Sequence, residues 1–122
     1  MTAKGPGPLE RHAWAARAHV AVGPRWVLFH LADHASPSGL AYPKVATLAV
    51  SARVSDGQAG RHLATLEDAG LIERVRLRRG GQYRGWLHRV LVPGSVPVAY
   101  EELPRFVPAP LELPAAWLEP VR

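Results

Sequence analysis

Apolar residues recur along this chain with two different periods. From residue 9 to about 69 they return every three or four positions, and from 71 to 92 every second one, so helices come first and strands follow. Leu9, Ala13, Ala16 and Val20 would share one face of a short Ala-rich helix over about 9–18, with Arg11 and His12 off that face. Gly23-Pro24 then breaks the chain. A proline suits the first turn of a new helix because its missing N–H would be unpaired there anyway. That helix, about 24–35, places Val27, Leu28, Leu31 and Ala35 at core spacing, and Ser36-Pro37-Ser38-Gly39 ends it. A third, over 43–49, shows Val45, Leu48 and Ala49 on one side, with Ser51-Ala52-Arg53-Val54 as a tight connection. Ser55 is placed to cap a fourth over 56–69: its hydroxyl can accept from first-turn amides while Asp56 complements the helix dipole. Ala59, Leu63 and Leu66 form its apolar stripe, and Gly70 closes it.

The run 71–77, Leu-Ile-Glu-Arg-Val-Arg-Leu, alternates with period two and predicts a half-buried strand. Residues 78–85, with Gly80-Gly81 inside, predict a turn, and 86–92 the returning strand of a β-hairpin. Alternation puts Arg74 and Arg76 on the solvent face and Val75 and Leu77 on the other. Beyond residue 92 the prolines at 93, 97, 104, 108, 110, 114 and 120 exclude a long helix or a central strand. Yet Val96, Val98, Tyr100, Leu103, Phe106, Val107, Leu111, Leu113, Trp117 and Leu118 make this arm too apolar for a solvated linker. It is expected to pack on the body or on a partner. Residues 1–8 have little to bury and read as disordered. The organisation is thus a disordered start (1–8), one α+β domain (9–92) and a proline-rich arm (93–122).

A chain of 122 residues with 48% apolar content sustains one core. It has no cysteine, so neither a disulfide framework nor a Cys-rich zinc site can hold it together. No apolar run approaches the roughly 20 residues of a membrane span, which implies a cytoplasmic protein. Of its 15 basic residues, only Lys4 and Lys44 are lysines. Arginine, alanine, glycine and proline all have GC-rich codons, and their abundance suggests a high-GC bacterial genome. Charge is also unevenly placed. The body carries a formal +7, whereas the arm sets Arg105 and Arg122 against Glu101, Glu102, Glu112 and Glu119. A basic body favours a polyanionic partner.

Catalytic chemistry finds little support. Among the six histidines only His30 and His34 share a helical face at i, i+4, with no glutamate in the metalloprotease pattern and no third ligand. No glycine loop precedes Lys-Ser/Thr, and no nucleophile arrangement is evident. Neither an enzyme nor a cofactor or metal is expected.

Three helices followed by a basic hairpin resemble the winged helix-turn-helix. The runs Leu31-Ala32-Asp33-His34-Ala35, Tyr42-Pro43-Lys44-Val45-Ala46-Thr47-Leu48-Ala49 and Leu63 to Ile72 are similar to the domains of bacterial plasmid and phage replication initiators and related transcriptional regulators. The resemblance covers about residues 20–92. It implies a three-helix core plus β-hairpin wing, here with an extra N-terminal helix and the arm, and a nucleoid partner, double-stranded DNA. In such proteins the third core helix lies in the major groove and the wing touches backbone or minor groove. Carried onto this chain, the DNA-facing positions are Lys44, Thr47, Ser55, Gln58, Arg61 and His62, with Arg74, Arg76, Arg78, Arg79, Gln82 and Arg84 on the wing, beside Tyr83 and Arg89. The chain departs from the family pattern at Asp56-Gly57, at Gly60 and at Arg53, where the turn usually has glycine. Those departures and the apolar arm support a second reading, a protein-interaction module that binds a partner such as polymerase, a sigma factor or itself. A homodimer anchored by Trp14 or Trp117 would fit either reading.

Overall fold

A computed structural model describes residues 4–79, 82–103 and 113–122, with the side chains of residues 78, 79 and 82–84 outside the description. Its helices are α1 (Pro8–Ala16), α2 (Val22–Asp33), α3 (Val45–Ala52) and α4 (Asp56–Asp68), and its strands β1 (Leu40–Ala41), β2 (Ile72–Arg79) and β3 (Gln82–Val90). Short 3-10 turns at Tyr100–Glu102 and Ala115–Leu118 punctuate the arm. The strands make one antiparallel sheet in the order β1-β3-β2. α2, α3 and α4 packed together beside this sheet form a winged helix-turn-helix, with α1 added in front.

Local chemistry accounts for most boundaries. Pro24 sits in the first turn of α2, and Val27, Leu28, Leu31 and Ala32 give it a buried stripe. Gly70, at φ 74°, follows the end of α4. Gly39, at φ 86°, lies so close to β3 that a Cβ there would strike the Val90 carbonyl oxygen. This close approach lets the two residues of β1 pair with β3, a strand that the apolar pattern does not reveal. α3 runs through Ser51 and Ala52, which the sequence suggested as connection, and stops where Arg53 turns left-handed (φ 57°, ψ 46°). That conformation costs an L residue about 1–2 kcal/mol, partly offset against glycine by glycine's greater freedom when unfolded. Arg53→Gly is therefore expected to stabilise the fold by up to about 1 kcal/mol, read as a higher urea midpoint at unchanged slope. A lower midpoint would show that Arg53 makes contacts worth more than its strain.

Three expectations need correction. α1 is rotated from its expected face: Arg11 and Ala15 are buried, while Leu9, Ala13 and Ala16 are exposed. An alanine-rich helix has little apolar contrast, so its rotation follows from Trp14 packing on the core and from Arg11, whose Nη1 donates to the Pro6 carbonyl at 2.6 Å. Pro6 is itself buried, so order begins ahead of residue 9; residues 1–3 lie outside the described set. The hairpin turn is also shorter than 78–85, since backbone pairing continues through Arg78↔Tyr83 and Arg79↔Gln82, beyond an irregularity between Arg76 and Arg78.

β3 is covered on both faces. On the helix side Ala41, Ile72 and Val90 join Val27, Leu28, Leu31, Leu48, Leu63 and Leu66 in the main core. On the outer side Leu40, Leu77 and Leu87 gather with Val98, Leu113 and Trp117 from the arm. The third correction follows: Trp117 is fully buried within this chain and cannot anchor a dimer.

One arginine ties the arm down. Arg89 lies on the outer side of β3, 1% exposed. Its Nε donates to the Ser38 carbonyl and its Nη1 to the Ala116 carbonyl, both at 3.0 Å, while Nη2 donates to Val96 and Glu119 at 3.1 Å. Burial lowers its pKa from the ordinary arginine value, opposed by Glu73 and Glu102. The sequence grouped Arg89 with the wing cations, but its donors are engaged with carbonyls inside the fold. Nearby, Glu102 Oε1 accepts from the Ser36 and Ser38 hydroxyls at 2.8 and 2.6 Å, a second tie between arm and body.

Candidate nucleic-acid interface

α4 starts with a reciprocal cap. The Gln58 N–H donates to Ser55 Oγ at 3.1 Å, and the Ser55 N–H donates to Gln58 Oε1 at 3.0 Å. Both side chains thus serve the helix start, although both are exposed. With Ala59, Leu63 and Leu66 turned inward, Arg61 projects from the opposite side. Beside it, a Cβ on Gly57 would meet only Arg61 Nη1 at 3.5 Å, and one on Gly60 would meet nothing. No packing demand within the described fold explains these glycines. His62 is not on that outward side: about 100° of helical rotation from Arg61, its ring lies 2.9 Å from where a Gly23 side chain would begin, against the first turn of α2. The exposed surface of α4 also carries Asp56 in its first turn and Glu67 and Asp68 in its last, so its net charge is negative even with Arg61.

The wing concentrates the positive charge. Arg74 and Arg76 do share one face of β2, opposite His88 and Trp86, but it is the face that carries Ile72 into the main core. Arg74 Nη2 donates to Glu67 Oε1 at 3.1 Å, and its side chain is only 12% exposed. Its guanidinium lies 4.4 Å from the Trp86 ring centroid, and that of the exposed Arg76 lies 4.7 Å from the same ring. The expected solvent face is therefore an organised cluster. Val75 and Leu77 turn to the arm instead, because the arm supplies a second apolar cluster there. Beneath Arg74, His88 is fully buried, and neither ring nitrogen meets a hydrogen-bond partner. Burial, with Arg74 adding to it, pushes its pKa down to about 4.

Residues 25–72 match the sequence model of a helix-turn-helix domain. The match runs from α2 to the first residue of β2, leaving α1, the rest of the wing and the arm outside it. No curated protein and no solved structure matches the chain. A helix-turn-helix domain suggests DNA binding.

Within the helix-turn-helix, Lys44 immediately precedes α3 and is exposed. Thr47, also exposed, lines an open groove of about 500 Å³ with His34, Tyr42, Pro43 and Glu102 among its walls. Arg78, Arg79, Gln82 and Arg84 have side chains outside the described set, as does Tyr83. The structure thus brings Arg74 and Arg76 together, sets Arg61 apart on α4, places the half-buried His62 against the start of α2, and engages Arg89 inside the fold. Trp86 and Glu67 were missed as partners of the arginines; the signal was a tryptophan in register with arginines, visible only once the hairpin pairing is known. Among the described residues no three His, Cys, Asp or Glu side chains form a metal-binding group, and no helix is long and apolar enough to cross a membrane.

Proposed function

We propose that this protein binds double-stranded DNA as a bacterial transcriptional regulator or replication-accessory protein, α4 entering the major groove and the wing contacting backbone and minor groove. The observation that carries the reading is the hairpin that follows the helix-turn-helix: Arg74, Arg76, Arg78, Arg79 and Arg84 lie along it with Glu73 as its only acid. α4 supports a lesser share, since Ser55 and Gln58 are engaged in the cap and the helix carries Asp56, Glu67 and Asp68 against the single cation Arg61.

Affinity should therefore come mainly from the wing and base discrimination from α4. Replacing Arg78 and Arg79 by alanine should weaken binding to all duplexes alike and flatten the salt slope by roughly 0.9 for each phosphate left unneutralised. Arg61→Ala should instead erode preference for a selected sequence, by about 1–3 kcal/mol if the arginine makes a bidentate base contact. Salt-titrated anisotropy with random and selected duplexes separates the two. A folded wing variant with unchanged affinity and slope would favour the protein-interaction module.

A further inference from the structure

Trp86 holds two guanidiniums over its ring, those of Arg74 and Arg76, at 4.4 and 4.7 Å from the ring centroid. The indole face attracts both through its quadrupole. An arginine so stacked has already given up part of the rotamer freedom that gripping a phosphate removes. Arg74 also has Glu67 within 3.1 Å of its Nη2, while its Nε is buried, so the Nη edge that now faces the carboxylate is the one that can meet a phosphate. Glu67 is 41% exposed against 12% for Arg74, which leaves the anion as the wetter and more easily displaced member of the pair.

We infer that Trp86 is a positioning residue for a two-arginine phosphate clamp, in which Arg74 and Arg76 grip the backbone of duplex DNA beside α4 and Glu67 holds Arg74 until a phosphate displaces it. The inference rests on the DNA-binding reading above and adds to it a ring that orders the cations and an internal anion that competes with the ligand. Trp86 acts through the arginines and needs no contact of its own with the nucleic acid.

The test compares wild type, Trp86→Leu, Trp86→Phe and Glu67→Gln in salt-titrated binding to a random-sequence duplex, each variant checked by circular dichroism. Trp86→Leu keeps apolar bulk but loses the ring; it should weaken binding about tenfold and flatten the salt slope by about 1–2 units. Trp86→Phe restores a stacking face and should stay within about threefold of wild type. Glu67→Gln frees Arg74 and should bind more tightly, with a slope steeper by about one unit. A folded Trp86→Leu with wild-type affinity and slope overturns the inference, as does Glu67→Gln that binds no more tightly. If Trp86→Leu does not fold, Glu67→Gln and Trp86→Phe decide by the same criteria. Wild-type protein that binds no duplex at low salt strikes down the DNA-binding reading first, and the clamp with it.

Discussion

Arg89→Leu should cost about 3–5 kcal/mol, a large share of the roughly 5–15 kcal/mol that a folded domain possesses. The guanidinium serves the carbonyls of Ser38, Val96, Ala116 and Glu119 from one buried position. Its removal leaves them without that donor, at about 1–3 kcal/mol for each that stays dry, offset in part because a charge no longer has to be buried. The melting temperature should fall by at least about 10 °C. Arg89→Lys keeps the charge but replaces the planar fork with a compact ammonium of three donors, and should fall between the two. Thermal denaturation followed by circular dichroism gives the size of the effect. Limited proteolysis gives its location, because cleavage beyond residue 93 should accelerate before cleavage in the helices. A melting temperature within a few degrees of wild type would mean that water replaces the guanidinium at little cost.

Acid should destabilise the fold through His88. The unfolded chain takes up its proton at the ordinary value near 6.5, while in the folded protein burial and Arg74 hold the group down to about 4. Between those values the unfolded state binds more protons, so stability falls as pH drops from about 6.5 to about 4, then no further on this account. Above about pH 6.5 both forms are neutral and the full stability is present. The depression corresponds to a loss of about 3 kcal/mol across that window. His88→Leu should flatten this slope and leave stability at pH 7 little changed, because the ring nitrogens have no hydrogen bonds to lose. Urea unfolding at pH 7 and pH 5 makes the comparison. Parallel losses in wild type and variant would assign the acid sensitivity elsewhere.

Segments whose signal is local could be read in advance. Ser55, Gly70, and the stripe of Val27, Leu28 and Leu31 set their elements through neighbours within a turn or two, and they fall where expected, whereas Gln58, read as facing DNA, turns out to complete the cap of Ser55. What the sequence concealed depends on partners far along the chain. Arg89 looks like any wing arginine until the arm, some 30 residues later, is known to cover its face. His62 and Arg61 are adjacent and polar, and only the packing of α2 turns one of them inward. For β1, two residues carry no period at all. The alternation of Arg74, Val75, Arg76 and Leu77 was legible as alternation, but not which face would be covered, because the second apolar cluster is made by the arm.

That second cluster also imposes an order on synthesis. Leu40, Val75, Leu77 and Leu87 emerge from the ribosome before Val98, Leu113 and Trp117 are free to cover them. At about 5–20 residues per second, translation from Val90 to Trp117 leaves that surface bare for a time on the order of seconds. An uncovered apolar sheet face on a nascent hairpin attracts chaperones and other unfinished chains. Arg74 and Arg76, on the opposite side of β2, belong to the same hairpin, and like charge opposes its pairing with copies of itself.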